Sequence, residues 1–170
     1  IVFGIWDILG PSWVPYWMKK AMFLLQRKFS WVRRKLGISI KQGVVQALDA
    51  TTLETVWSYS DEPWDMFAAA GEEEFLLRRM ARNAEDHRQE VLCGPDSWGI
   101  PVIDGDGTVY ASSGMNGNLY AINDRDGNGI IDETEVSVFR TGQAFLNAPA
   151  LAPGMLAAAP CWGPMYVFKG

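Results

Sequence analysis

The most specific chemistry in this chain lies between Asp124 and Glu135. Asp124, Asp126, Asn128, Ile130, Asp132 and Glu135 stand at positions 1, 3, 5, 7, 9 and 12 of a twelve-residue stretch, with Gly129 at position 6 and Ile131 at position 8. This is the spacing of the EF-hand calcium loop. Calcium takes hard oxygens, which the carboxylates and the amide supply. Position 7 contributes its main-chain carbonyl, position 6 takes the sharp bend that glycine permits, and position 12 offers both oxygens of one carboxylate. Asp104-Gly105-Asp106-Gly107 copies the opening of such a loop, but its twelfth position is Met115, so it reads as a β-turn.

The elements that position these oxygens are not those of a calcium sensor. Leu119-Tyr-Ala-Ile and Val136-Ser-Val-Phe alternate like strands, where a sensor has helices. An ion there would clamp a hairpin instead of opening a helix pair, which makes its role structural. The surrounding stretch, Gly99 to Arg140, consists of short β-branched and aromatic runs broken by Asp-Gly and Asn-Gly turns, the pattern of an antiparallel meander.

Composition and charge divide the chain. Its 170 residues include eight Trp and carry a net charge of −5. Residues 1–42 hold eight basic residues against Asp7 alone, a balance of +7; the remainder, with seven basic and nineteen acidic residues, stands at −12. Such an asymmetry marks a basic arm on an acidic body. Nucleic acid is not the expected partner, because the body would repel the phosphates that the arm attracts.

Residues 1–38 are expected to form that arm. Asp7, Pro11 and Pro15 interrupt its apolar start, which therefore lacks the roughly 20 continuous apolar residues of a membrane span. From Ser12 or Pro15 to Leu36 the pattern predicts a helix capped by Gly37, with Met18, Met22, Leu25, Phe29, Val32 and Leu36 on one stripe. Lys19, Lys20, Arg27, Lys28, Arg33 and Arg34 crowd its other faces, and Trp13, Trp17 and Trp31 suit the headgroup level. The arm reads as a docking element for an anionic membrane surface or an integral membrane complex, with lipid or pigment contacts through its Trp residues. A helix that merely caps its own core is the alternative.

From Ser39 the chain turns to β. Ala47-Leu48-Asp49-Ala50-Thr51-Thr52-Leu53-Glu54-Thr55-Val56-Trp57 resembles the tryptophan-docking repeat of the PQQ-like (quinoprotein-type) β-propellers, matching at Ala47, Asp49, Thr52 and Trp57. Leu53 stands where that family has a glycine of positive φ. The resemblance repeats. Gly43-Val-Val-Gln-Ala-Leu-Asp49 aligns with Gly117-Asn-Leu-Tyr-Ala-Ile-Asn123 and with Gly163-Pro-Met-Tyr-Val-Phe168, and the stretches after Pro101 and Pro149 parallel each other. The resemblance implies a mainly β fold with added helices: two to three propeller-blade antiparallel sheets over residues 39–170, the N-terminal amphipathic helix, and one helix inserted within 62–95. A closed propeller needs at least four blades of about 40 residues. The expected blades fall short of that, so a fragment, a degenerate ring or a ring completed by a partner is expected.

In the insert, Gly71-Glu-Glu-Glu is read as a helix start, and Leu76, Met80, Ala84, His87 and Val91 as its apolar stripe. His87 has no companion His or Cys at ligand spacing, which favours packing over metal or pigment ligation. Cys93 and Cys161 lack metal spacing. On the repeat alignment each falls near the front of a neighbouring sheet, and both a disulfide and two buried thiols stay open.

No nucleophile elbow, phosphate loop, zinc motif or Cys-His arrangement occurs. The family's dehydrogenases use a full ring and a carboxylate base against the quinone; neither is identifiable, so PQQ is not expected. The sequence reads as a non-catalytic calcium-binding accessory subunit of a larger membrane complex, photosynthetic or respiratory. It would sit on the thylakoid lumen, periplasmic or another non-cytoplasmic side. A fragment of a PQQ-dependent dehydrogenase and a calcium-dependent peripheral membrane sensor are the alternatives.

Overall fold

The computed structural model describes residues 42–64, 66, 68–72 and 98–170, together with positions 15, 17, 18, 21, 25, 75, 78, 79, 93, 94 and 96. Within these residues the protein is mainly β, in three small antiparallel sheets. Val44–Leu48 (β1) pairs with Thr55–Ser60 (β2). Val102–Ile103 (β3), Val109–Ser112 (β4), Asn118–Ile122 (β5) and Val136–Arg140 (β6) form a four-stranded meander in chain order. Ala150–Ala152 (β7), Met155–Ala158 (β8) and Tyr166–Lys169 (β9) form a three-stranded one. The helix expected from residue 12 or 15 to 36 and the one expected in the insert fall mostly outside the described residues. Among the described residues no helix is long and apolar enough to cross a membrane.

Local chemistry makes the turns. Between β1 and β2, Asp49 Oδ1 accepts the amides of Thr51 and Thr52, each at 2.8 Å, and the Asp49 amide bonds the Glu54 carbonyl at 2.9 Å. This short side chain closes the turn upon itself. Leu53 is forced to φ 59°, the one non-glycine residue at positive φ among those described. A leucine there adopts the positive φ that a glycine takes freely; the cost is steric, since a Cβ crowds the backbone in the left-handed region. Between β4 and β5, Gly117 packs so tightly that a Cβ would lie 2.7 Å from the Gln143 amide nitrogen.

Side-chain alternation then stacks the three sheets with the four-stranded one in the middle. Val109 and Ala111 of β4, Tyr120 and Ile122 of β5, and Val136 and Val138 of β6 point to one face, where they meet Val45 and Trp57 of the first sheet. On the other face Tyr110 and Leu119 meet Leu156, Ala158 and Phe168 of the third. Phe139 adds edge contacts to Tyr166 and Phe168, ring centroids 5.0 Å apart in each case. Successive residues of a strand face opposite ways, so a strand with a cover on both sides is apolar throughout. β5 has four of its five residues buried, and the one strongly polar one among them, Asn118, donates through Nδ2 to the Tyr120 hydroxyl.

A buried carboxylate joins the first two sheets. Asp61, 1% exposed, follows β2; its Oδ1 accepts the Gly43 amide at 2.9 Å, and its Oδ2 lies 3.4 Å from the donors Ser113 Oγ and Asn116 Nδ2. Burial raises its pKa above the ordinary 3.8 despite these donors, because desolvation of the charge outweighs hydrogen bonds of that length.

The disulfide Cys93–Cys161, with Cα atoms 6.1 Å apart, ties the insert to the loop before β9. Beside it Glu72 is fully buried. It accepts from Arg79 Nη1 at 2.5 Å and from Trp162 Nε1, and the Arg79 guanidinium lies over the Trp162 ring, 3.9 Å from its centre. The sequence reads Glu72 only as part of an acidic helix start; in the structure it is buried with a cation and an indole donor.

Two consequences are measurable. Leu53→Gly removes the left-handed strain at a side chain that is 71% exposed. It should raise stability by up to about 1 kcal/mol, seen as a higher urea midpoint at unchanged slope. Asp61 holds its proton more tightly in the folded chain, so its contribution is largest below pH 3.8 and is lost as pH rises through its raised folded value. The stability of Asp61→Asn relative to wild type should therefore increase with pH across that window; a pH-independent difference would contradict the assignment.

Candidate metal centre

The loop between β5 and β6 is closed by the strands that carry it. Ile122 pairs with Val136, and one step further out the Asn123 amide bonds the Glu135 carbonyl at 3.0 Å. Residues 124 and 135 therefore begin and end the loop side by side. Glu135, 5% exposed, accepts the Arg125 amide on Oε1 at 2.7 Å and lies 3.3 Å from the Asp132 amide through Oε2. Its carboxylate thus sits inside the loop it terminates.

One carboxylate oxygen each from Asp124, Asp126 and Glu135 lie within 4.8 Å of one another. Two oxygens bound to one calcium at about 2.3–2.6 Å are separated by at most about twice that length, so this spacing is compatible with a shared ion. Asp124 supplies the sharper observation. Its Oδ2 accepts the Gly129 amide at 3.1 Å, while its Oδ1 is buried without a hydrogen-bond partner. A buried carboxylate oxygen left unpaired is costly in a protein interior and is what a cation would satisfy. Gly129, at φ 79°, makes the bend that brings its amide to Asp124.

The remaining loop residues are arranged differently. Asn128 Oδ1 accepts the Ile130 amide at 2.6 Å and its Nδ2 donates to Asp126 Oδ2 at 2.7 Å, so its amide is engaged with the loop itself. Asp132 faces outward. Its Oδ1 accepts both the hydroxyl and the amide of Thr134 at 2.7 Å, and these bonds hold its carboxyl below the usual range. The ninth position of such a loop often reaches the metal through water, which an outward carboxylate permits. Ile130 lies in the loop with its side chain exposed, at the position whose ligand is a carbonyl. Of the six expected ligands the structure gathers three acidic ones: Asp124, Asp126 and Glu135.

Other expected contact residues are Trp13, Lys19, Lys20, Arg27, Lys28, Trp31, Arg33 and Arg34, all outside the described residues. Trp17 is described, and is 68% exposed. His87 also falls outside.

Two supports of the loop went unread in the sequence. Asn123 Nδ2 donates to Thr108 Oγ1 at 3.0 Å, which ties the loop's entrance to the β3–β4 turn. Gly129 also abuts the Val56 carbonyl of β2, where a Cβ would come to 2.8 Å. The apolar eighth position, Ile131, was the available signal, since it packs on the core shared with the first sheet.

The sequence matches no protein-family model and no curated protein. Fold and site geometry therefore carry the functional reading.

For the isolated protein, adding calcium should raise the unfolding midpoint and a chelator should lower it. Glu135→Gln removes the most buried ligand charge and should weaken calcium binding at least about tenfold by calorimetry, the scale of one lost charged ligand interaction. Asp132→Asn, at an outward carboxylate, should have a clearly smaller effect.

Proposed function

We propose that the protein is a non-catalytic, calcium-stabilised accessory subunit that docks on a larger membrane protein complex from its non-cytoplasmic side. The observation that carries this reading is the buried, unpaired Asp124 Oδ1 beside Asp126 and Glu135, in a loop held between two strands. An ion placed there binds the two halves of one hairpin. It has strands, not hinged helices, on either side, so its work is to hold shape.

The stacking of three antiparallel sheets, the middle one a complete four-stranded meander, supports a partial propeller of the PQQ-like kind. Apolar side chains at the outer strands and their approaches support a docking role: Ile100 is 75% exposed, Ile103 65% and Met165 65%. Open strand edges with exposed apolar side chains are suited to being covered by another protein. The exposed Trp17 and the basic residues around it would supply the attachment to lipid or to a membrane subunit. The disulfide accords with an oxidising compartment.

The test uses the full chain in native membranes. Mild detergent extraction should recover it with an integral membrane complex, and high salt or carbonate should be needed to release it. Replacing Lys19, Lys20, Arg27 and Lys28 together by Glu should shift it to the soluble fraction. Recovery of the unmodified chain as a detergent-free monomer would rule the reading out.

A further inference from the structure

We propose that the ion held by Asp124, Asp126 and Glu135 acts as a clasp between the β1–β2 hairpin and the four-stranded sheet, so that calcium governs how firmly the hairpin is docked. This rests on the calcium reading of the loop given above and adds a regulated partner within the same chain.

The loop reaches the hairpin directly through Gly129 and, through Ile131, the apolar core that the hairpin shares with β4 and β5. Gly129 lies against β2 so closely that a Cβ would stand 2.8 Å from the Val56 carbonyl oxygen. Ile131, two residues on, packs on the cluster that contains Val45 and Trp57. Both contacts are made from within the ligand-bearing segment. The Gly129 amide donates to Asp124 Oδ2 at 3.1 Å, and the other oxygen of that carboxylate is the buried one without a partner. An ion that fixes Asp124 therefore fixes Gly129, and with it the surface that meets Val56.

The hairpin depends on such help. Two strands alone are marginal in water, and β1–β2 gains its hold by burying Val45 and Trp57 and by the bonds of Asp61 to Gly43, Ser113 and Asn116. Without a cation, carboxylate oxygens of Asp124, Asp126 and Glu135 within 4.8 Å of one another repel, and the loop relieves the repulsion by opening. Opening withdraws Ile131 from the shared core. By linkage, a site that binds the ion more tightly when the hairpin is docked stabilises docking, by at most the factor one plus the ratio of calcium concentration to its Kd.

Hydrogen exchange by mass spectrometry on the full chain, in calcium and in chelator, tests this beside calorimetric measurement of calcium binding. Exchange in residues 44–60, none of which ligates the ion, should slow by up to about a hundredfold with calcium at roughly a hundred times its Kd. Ile131→Ala should keep calcium binding and protection within 124–135, while 44–60 no longer responds to the ion. Binding that slows exchange only within 118–140 overturns the clasp and leaves the metal site standing. If calorimetry finds no binding, the metal reading falls and the clasp with it. The wild-type comparison decides the matter even if the variant does not fold.

Discussion

A sheet that must be covered on both faces organises this molecule. In the four-stranded meander the odd and even residues of β4, β5 and β6 are claimed by different neighbours, so neither face can be traded for solvent. A slip of one residue would send Tyr120 and Ile122 toward the third sheet and Leu119 toward the first, breaking both apolar clusters together. Each large apolar side chain so buried contributes about 1.5–3 kcal/mol relative to exposure, which makes register the most heavily constrained property of the fold. Among the described residues, the two outer sheets are held from one side only. Their far faces and edges are where exposed Val44, Leu151 and Val167 lie.

The acidic loop follows from that constraint. β5 and β6 leave the core in fixed register, so Asp124 and Glu135 are delivered side by side whether or not their charges favour it. Backbone amides offset part of the repulsion by donating to Glu135 Oε1 and to Asp124 Oδ2. They do not offset all of it, because Asp124 Oδ1 stays buried and unpaired. Rigid strands thus fix the two ends of an anionic loop whose intervening residues belong to neither strand.

Much of the β architecture could be read from residues alone, because its signals are local. Pro101 and Pro149 before strands, Asp-Gly and Asn-Gly at turns, and two-residue alternation located the second and third sheets, and the acidic loop was placed between two strands. What escaped was non-local. Glu72 looks like any first-turn acid until Trp162, ninety residues away, donates to it. Asp61 gives no hint that Ser113 and Asn116 converge on it. Leu53 is a different case, since a residue type that avoids positive φ adopts it within the turn that the bonds of Asp49 close. Asp132 and Asn128 have the right types at the right spacing, yet Thr134 and the Ile130 amide engage their oxygens.

The cystine has a topological consequence. Joining Cys93 to Cys161 makes residues 93–161 a covalent ring that contains every strand from β3 to β8, the acidic loop included. A protease that nicks the exposed tip of that loop divides the chain into two polypeptides but detaches neither, because the cystine joins them. The severed ends stay tethered through sulfur as well as through the sheet, and the two tails of the polypeptide leave the ring from the same knot.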